Sequence, residues 1–313
     1  MIHEIAVDPE ALTNWQSFRF LVSHTGVHHG RLISCFPGKW KKKVFEACKN
    51  SSDIQDIDKK RIYESLSNIN SMLLKTGREY DSSEEWIENA ISSDAVTSFK
   101  AIISTKDKSG QEEILDLETL DPLDERWHVP RSKPVTRTAT ELAKAAETLI
   151  KGSSEVIFVD QHYSCNKRHG NPLKKFIKYA QSGKSLTRLE YHLVSKARTE
   201  FFRNDLDNHR KFLNLDDETR IVFVRWKTTP KSDNIHPRYV LTERGGLQYD
   251  YGLDEAASEG ETTDVSCMDQ SHHAERWKRF NPDSGDLDLI DAWIVTASDI
   301  SEAKWEEGNF VKA

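Results

Sequence analysis

Hydrophobic positions in the second half of the chain switch repeatedly between a strand pattern and a helix pattern. Short apolar runs alternate with segments whose apolar residues lie three or four apart, in the order 156–159, 172–181, 186–194, 195–213 and 220–226. The first, third and fifth segments predict buried strands, and the other two predict helices. Strands that alternate with helices indicate crossover connections and a largely parallel sheet. Two further runs, 236–242 and 247–251, flank a Gly-Gly turn and predict an antiparallel hairpin in the same sheet.

The first 130 residues combine other patterns and predict a smaller α+β domain. Residues 18–23 and 31–35 have the composition of short strands, and the segment that follows them has helical spacing. Two runs at 98–105 and 112–117 surround a turn and predict a second hairpin.

A charged segment with several prolines separates these two patterns. Residues 131–151 are interpreted as a linker and a helix, and residues 152–313 as the second domain. The expected fold class is α/β, with a mixed C-terminal sheet flanked by helices and a smaller N-terminal domain whose role the sequence does not indicate.

Composition narrows the class of protein. The 313 residues include no apolar run long enough for a membrane span, and the first residues lack the pattern of a secretory signal, so a cytoplasmic protein is expected. The four cysteines are widely scattered and predict free thiols in a reducing compartment. Their spacing relative to the histidines matches no standard zinc pattern, so neither a metal nor another cofactor is expected.

Charge is distributed unevenly along the chain. The net charge is -7, yet residues 160–244 hold 18 Lys and Arg against 10 Asp and Glu, whereas residues 245–313 hold 5 against 16. A locally basic surface attracts polyanions even when the whole molecule is acidic. Solvated helix faces would produce the same counts, so the excess permits a nucleic-acid partner without requiring one.

The strongest candidate for chemistry lies within this basic block. His236 and Arg238 are two residues apart on a predicted strand, which directs both side chains to one face. A nucleophile beside a fixed cation is what attack on a phosphodiester requires. A histidine that is simply hydrogen-bonded at the end of a sheet would fit the same position.

The run His236-x-Arg238-x4-Glu243, followed by Gly252-Leu253-Asp254, resembles the phospholipase D superfamily signature H-x-K-x4-D with its later Gly-rich segment. The resemblance covers about half of the chain. The strand at 156–160 is similar to the opening strand of that family. Arg238, Glu243 and Asp254 each depart from the residue that is usual in the family.

The resemblance implies a metal-independent reaction. His236 would attack phosphorus, Arg238 would hold the phosphate oxygens, and Glu243 and Asp254 would complete the catalytic set. Because the chain holds one such motif, a homodimer or a partner subunit would have to supply the second half-site. The function this implies is a nuclease-like phosphodiesterase acting on nucleic acid, with prokaryotic antiviral defence as a fold-level analogy.

Other residues are candidates for substrate binding. Asp160 and His162 follow the first strand, where ligand-facing residues collect in α/β sheets, although they could equally cap the next loop. Arg225 and Lys227 flank Trp226 and could reach a phosphate, while Trp226 itself fits either base stacking or the core. The alternative function is a catalytically inactive binding or assembly subunit that docks nucleic acid or a protein.

Overall fold

A computed structural model describes residues 1–105, 114–194, 197–227 and 237–313. The chain divides into two compact units. The N-terminal unit comprises Ile2–Arg131, and the C-terminal unit comprises Met1 with Ser132–Ala313. The overall class is mixed α/β, as the sequence predicts. Within the described ranges, none of the helices combines the length and the apolar content needed to span a bilayer.

The N-terminal unit is built on a five-stranded sheet in which the paired strands all run parallel. Its elements are β1 (His3–Val7), α1 (Trp15–Ser23), β2 (Arg31–Ser34), α2 (Trp40–Asn50), α3 (Asp56–Asn68), β3 (Leu73–Leu74), α4 (Trp86–Val96), β4 (Ile102–Ile103) and β5 (Ile114–Leu115). The strand order is β3-β2-β1-β4-β5.

Two local predictions for this unit are wrong. Residues 18–23 belong to helix α1, because Asn14 accepts a hydrogen bond from the Gln16 backbone N–H and so caps a helix rather than opening a strand. The expected hairpin is also absent among the described residues, since β4 and β5 pair in parallel. The unit is therefore a parallel α/β layer rather than an α+β arrangement.

The C-terminal unit contains a ten-stranded mixed sheet. Its elements are β6 (Ser132–Thr136), α5 (Ala139–Lys151), β7 (Glu155–Val159), α6 (Lys167–Gln181), β8 (Arg188–Val194), α7 (Thr199–Leu213), β9 (Ile221–Trp226), β10 (Arg238–Thr242), β11 (Gly245–Tyr249), β12 (Thr262–Cys267), α8 (Gln270–Arg279), β13 (Leu289–Val295), β14 (Ile300–Glu306) and β15 (Asn309–Lys312). The strand order is β15-β14-β13-β9-β8-β7-β10-β11-β12-β6.

The centre of this sheet follows the alternation seen in the sequence. Strands β7, β8 and β9 are parallel and are joined through α6 and α7, and β10 with β11 forms the predicted antiparallel hairpin. The segment interpreted as linker and helix contributes β6, which pairs with β12, and helix α5. Thr138 caps α5 by accepting a hydrogen bond from the Glu141 backbone N–H.

Both faces of the central strands are buried, so their side chains pack on either side. Phe158 of β7 contacts Phe176 of α6, with 5.1 Å between ring centroids. Its neighbour Ile157 points the other way and packs in a cluster with Met268 and Phe280. This burial on both faces fixes the register of β7. It therefore also fixes the position of Asp160, the residue that follows β7.

Strand β10 fixes the geometry that matters for function. It pairs antiparallel with β7, and Tyr239 lies opposite Val159 while Thr242 lies opposite Val156. The first residue of β10, Arg238, therefore lies beside the carboxyl end of β7. Glu243, which follows the last residue of β10, lies beside the start of β7.

A buried ion pair joins β9 to β13. Arg225 lies opposite Asp291, donates to its Oδ1 from Nε at 2.6 Å, and donates a second bond to its Oδ2. The same guanidinium donates to the Ala197 carbonyl at 2.8 Å and to Thr199 Oγ1 at 2.9 Å. The Arg225 side chain is fully buried, and every described contact of its guanidinium is internal.

We expect Asp291→Ala to lower the free energy of unfolding by about 3–5 kcal/mol, because it leaves the Arg225 charge buried without its partner. Urea denaturation measures this loss. The matched control is Lys227→Ala, at the end of the same strand and exposed, which should change the free energy by less than about 0.5 kcal/mol. Equal, small effects of both substitutions would contradict the account of the pair.

Candidate functional site

The carboxyl ends of β7, β8 and β9 meet at one edge of the C-terminal sheet, where ligands collect in α/β folds. Asp160 follows β7 at this edge and is fully buried. Its Oδ1 accepts a hydrogen bond from the His162 backbone N–H at 2.9 Å, and its Oδ2 accepts one from the Leu253 backbone N–H at 2.8 Å. Asp160 thus caps the loop after β7 and also holds the loop between β11 and β12.

A second buried carboxylate, Asp254, lies beside Asp160. The Asp254 Oδ1 atom accepts a hydrogen bond from Arg137 Nη2 at 2.7 Å, and Oδ2 is 2.5 Å from Arg168 Nη2. Arg238 approaches from β10, with its Nε 3.8 Å from Asp160 Oδ1. We call these five residues the Asp–Arg cluster: Arg137, Asp160, Arg168, Arg238 and Asp254.

The close packing of the two carboxylates requires a glycine at position 252. A Cβ atom added at Gly252 would lie 1.9 Å from Asp254 Oδ1 and 3.3 Å from Asp160 Oδ2. Both carboxylates can approach the backbone there only because residue 252 has no side chain.

The guanidinium groups of the cluster differ in exposure. The side chain of Arg168 is 46% exposed, whereas those of Arg238 and Arg137 are 17% and 9% exposed. The Nε atoms of Arg137 and Arg238 are buried and have no hydrogen-bond acceptor among the described residues. An N–H donor that is buried without an acceptor costs free energy, so these two groups are the unsatisfied part of the cluster.

Imidazoles border the carboxylates. His169 lies in the first turn of α6, and its Nδ1 is 3.2 Å from Asn166 Oδ1. Burial lowers the pKa of His169, although the nearby carboxylates of Asp160 and Asp254 oppose the shift. A second imidazole, that of His209, is also buried, and burial lowers its pKa to about 4. The centroid of its ring lies 5.9 Å from that of the Tyr163 ring.

One possible metal site was found in the described part of the chain. It consists of Asp160, His169 and Asp254, whose potential ligand atoms all lie within 4.8 Å of one another. Aspartate oxygens with a neutral imidazole could ligate a divalent cation. Both Asp254 oxygens already contact guanidinium groups, however, and positive neighbours oppose a second cation. The arginines therefore disfavour a divalent cation between these carboxylates.

The remaining predicted site residues are placed as follows. Glu243 lies at the opposite end of β10 from Arg238, where its carboxylate accepts hydrogen bonds from the backbone N–H groups of Ser154 at 3.0 Å and Glu155 at 3.1 Å. It caps the start of β7 instead of orienting a group in the cluster. His162 is exposed next to Asp160, and His236 lies outside the described residues.

Arg225 and Lys227 also lie apart from the cluster contacts. Arg225 is held by Asp291 in the interior, so its guanidinium is not presented to a phosphate. Lys227 is exposed after β9, and its backbone N–H donates to the Asp288 carbonyl at 2.8 Å. Trp226 is fully buried, which confirms the core interpretation of that residue.

Glu190 and His192 lie on β8, between β7 and β9. They pair beside Ile157 and Val159, and their side chains therefore point to the sheet face opposite that of Phe158. His192 contacts Glu190 through Nε2 at 2.8 Å and accepts a hydrogen bond from Trp226 Nε1 at 2.9 Å. They form a buried structural network within the C-terminal unit.

Sequence reasoning missed Arg137 and Arg168, and it named Gly252 as part of the motif without its steric role. Arg168 lies in the basic run Asn166-Lys167-Arg168-His169, which was a detectable signal. Arg137 precedes Asp254 by more than a hundred residues, and no local pattern connects the two.

Comparison with known proteins adds little to this description. No protein-family model matches the chain, and no curated protein matches it. Among solved structures, part of the chain is similar to TrmBL2, an archaeal chromatin protein whose structure is described as showing a novel mode of DNA binding. The TM-score is 0.29 at 10% identity, over 52% of this chain and 55% of that chain, and a likeness this weak carries no argument.

We expect Gly252→Ala to disrupt the cluster, because the added methyl group would overlap Asp254 Oδ1. The free energy of unfolding should fall by about 1–3 kcal/mol, the usual cost of overpacking. Chemical denaturation measures this, with Gly38→Ala as the control, because a Cβ atom added there would meet no atom within 4 Å and the residue does not have a positive φ. The control should leave the free energy of unfolding nearly unchanged. A Gly252→Ala protein as stable as the wild type would contradict the crowding at residue 252.

Proposed function

We propose that the C-terminal unit binds the phosphodiester backbone of nucleic acid at the Asp–Arg cluster. The observation that carries the proposal is the pair of buried Nε–H groups of Arg137 and Arg238, which lack acceptors among the described residues. A phosphate oxygen is a strong acceptor for guanidinium N–H groups, and such charge-assisted bonds are about twice as strong as neutral ones.

The arginines of the cluster support an anionic ligand. Three guanidinium groups face the carboxylates of Asp160 and Asp254, and Glu261 Oε2 lies 3.4 Å from Arg137 Nη1, so the charges balance. A phosphate would therefore be held by hydrogen bonds from the guanidinium N–H groups rather than by a net charge. The carboxylates also hold the arginines in place before a ligand arrives, so less side-chain entropy is lost on binding.

Basic side chains at the same edge of the sheet favour a polymer over a lone phosphate. Lys167 opens α6 after β7, Arg198 precedes α7 after β8, and Lys227 follows β9. All three are exposed, and each follows a different parallel strand. A row of cations beside one phosphate site is suited to the successive charges of a nucleic acid.

A metal-independent phosphodiesterase is the second proposal. One observation favours it: Arg238, two residues after His236, belongs to the Asp–Arg cluster. In this proposal His236 is the nucleophile, and a homodimer or a partner subunit completes the site, as in the phospholipase D superfamily that the motif resembles. The position of Glu243 at the far end of β10 weighs against it, so binding without hydrolysis is the first proposal.

We expect Arg238→Ala to weaken nucleic-acid binding and to reduce the slope of log K against log salt by about one, because one phosphate contact is lost. Fluorescence anisotropy with labelled DNA and RNA at several salt concentrations, in EDTA, measures both quantities. Lys304→Ala, which removes an exposed charge of β14, is the matched control and should leave the slope unchanged. Equal slopes for wild type and Arg238→Ala would contradict the proposed contact.

The phosphodiesterase proposal predicts cleavage of a nucleic acid in EDTA that is abolished by His236→Ala. The reason is that the reaction would use a histidine nucleophile and no metal. Gel analysis of labelled DNA and RNA measures cleavage, and sedimentation measures whether the active species is a dimer. The control is His128→Ala, an exposed histidine of the N-terminal unit, which should retain activity. Intact substrate with the wild type, or cleavage that survives His236→Ala, rejects catalysis by His236.

A further inference from the structure

An exposed aromatic ring borders the Asp–Arg cluster. Tyr251 follows β11, and its side chain is 60% exposed, which places a large apolar surface in water. Its backbone N–H donates to Thr263 Oγ1 at 3.0 Å, so the residue is anchored to β12. The guanidinium carbon of Arg137 lies 5.4 Å from the centroid of the ring. The aromatic group and a cluster arginine are therefore neighbours.

The loop that carries Tyr251 is fastened to both carboxylates. Leu253 donates its backbone N–H to Asp160 Oδ2, and Asp254 follows directly. Gly252 provides the space for this close approach. Tyr251 therefore has a fixed position relative to the guanidinium groups, and it is separated from Asp254 by only two residues of a tethered loop.

We infer that the ligand of this site is single-stranded nucleic acid, with an unpaired base stacked on Tyr251 while its backbone phosphate contacts the Asp–Arg cluster. This inference rests on the proposed function. A basic groove combined with an aromatic platform is how single strands are bound without sequence preference, because every base has a π-face. In a duplex those faces are already stacked on neighbouring base pairs and are not offered to a protein side chain.

The position of the ring beside Arg137 strengthens this assignment. The Arg137 guanidinium is attracted to the π-system of the Tyr251 ring, and the same guanidinium donates a hydrogen bond to Asp254. These contacts stabilise the position of the ring beside the cluster. A phosphate headgroup without a base would use the arginines and leave Tyr251 in water. The exposed ring therefore discriminates between a nucleotide and a ligand that consists of phosphate alone.

The experiment compares a short labelled single strand, its duplex, and the same strand with abasic sites, by anisotropy at one salt concentration in EDTA. Wild type should bind the single strand more tightly than the duplex. Tyr251→Ala should weaken single-strand binding by about 5- to 100-fold, the usual effect of losing one base–aromatic stack, and should leave duplex binding unchanged. Tyr251→Trp should retain the affinity. Because Tyr251 is exposed, its replacement should not unfold the protein, and a thermal unfolding measurement on each variant checks this.

Two controls separate the possible failures. Phe45→Ala removes an exposed aromatic from the N-terminal unit and should change neither affinity. On the abasic strand Tyr251→Ala should cause no further loss, since the partner of the ring is already absent. If no nucleic acid binds to the wild type, the proposed function itself fails. If single strand and duplex bind equally and Tyr251→Ala changes neither, the single-strand inference is overturned while the proposed function stands.

Discussion

The contact between two buried carboxylates and three arginines determines the arrangement of the whole candidate site. Asp160 fixes the loop after β7 and the loop after β11, and Asp254 holds Arg137 and Arg168. Buried charges are tolerated only when they are paired, so the buried members Arg137, Asp160 and Asp254 depend on their partners. The consequence is a set of guanidinium groups held in place at the edge of a sheet, in which the Nε–H groups of Arg137 and Arg238 have no acceptor among the described residues.

Periodicity predicted the part of the fold in which packing repeats. The alternating strands and helices from β7 to β9, and the β10–β11 hairpin, follow directly from apolar spacing, because both faces of these strands are buried. The pattern failed where strands are very short. Strands β4 and β5 have two residues each, too few to show any period, and their parallel pairing depends on neighbours elsewhere in the chain. Residues 18–23 were misread because a short, mostly apolar run fits a helix as well as a strand.

The candidate site was predicted in part. Strand ends and the spacing of the motif pointed to Asp160, Arg238 and Asp254, and the structure brings these three together. Glu243 lies five residues after Arg238, and this spacing along one strand already implies that the two residues lie at opposite ends of it. The count of basic residues could not show that Arg225 is buried. Its charge is neutralised inside the protein by Asp291, which is distant in sequence. Arg137 was missed for the same reason, because its partner is distant in sequence.

The most direct test of the cluster is a crystal structure of the full chain with a short single-stranded oligonucleotide. The account predicts a backbone phosphate whose oxygens lie within hydrogen-bond distance of the guanidinium groups of Arg137 and Arg238. An oligonucleotide bound elsewhere on the protein, with no phosphate at these two arginines, would contradict it.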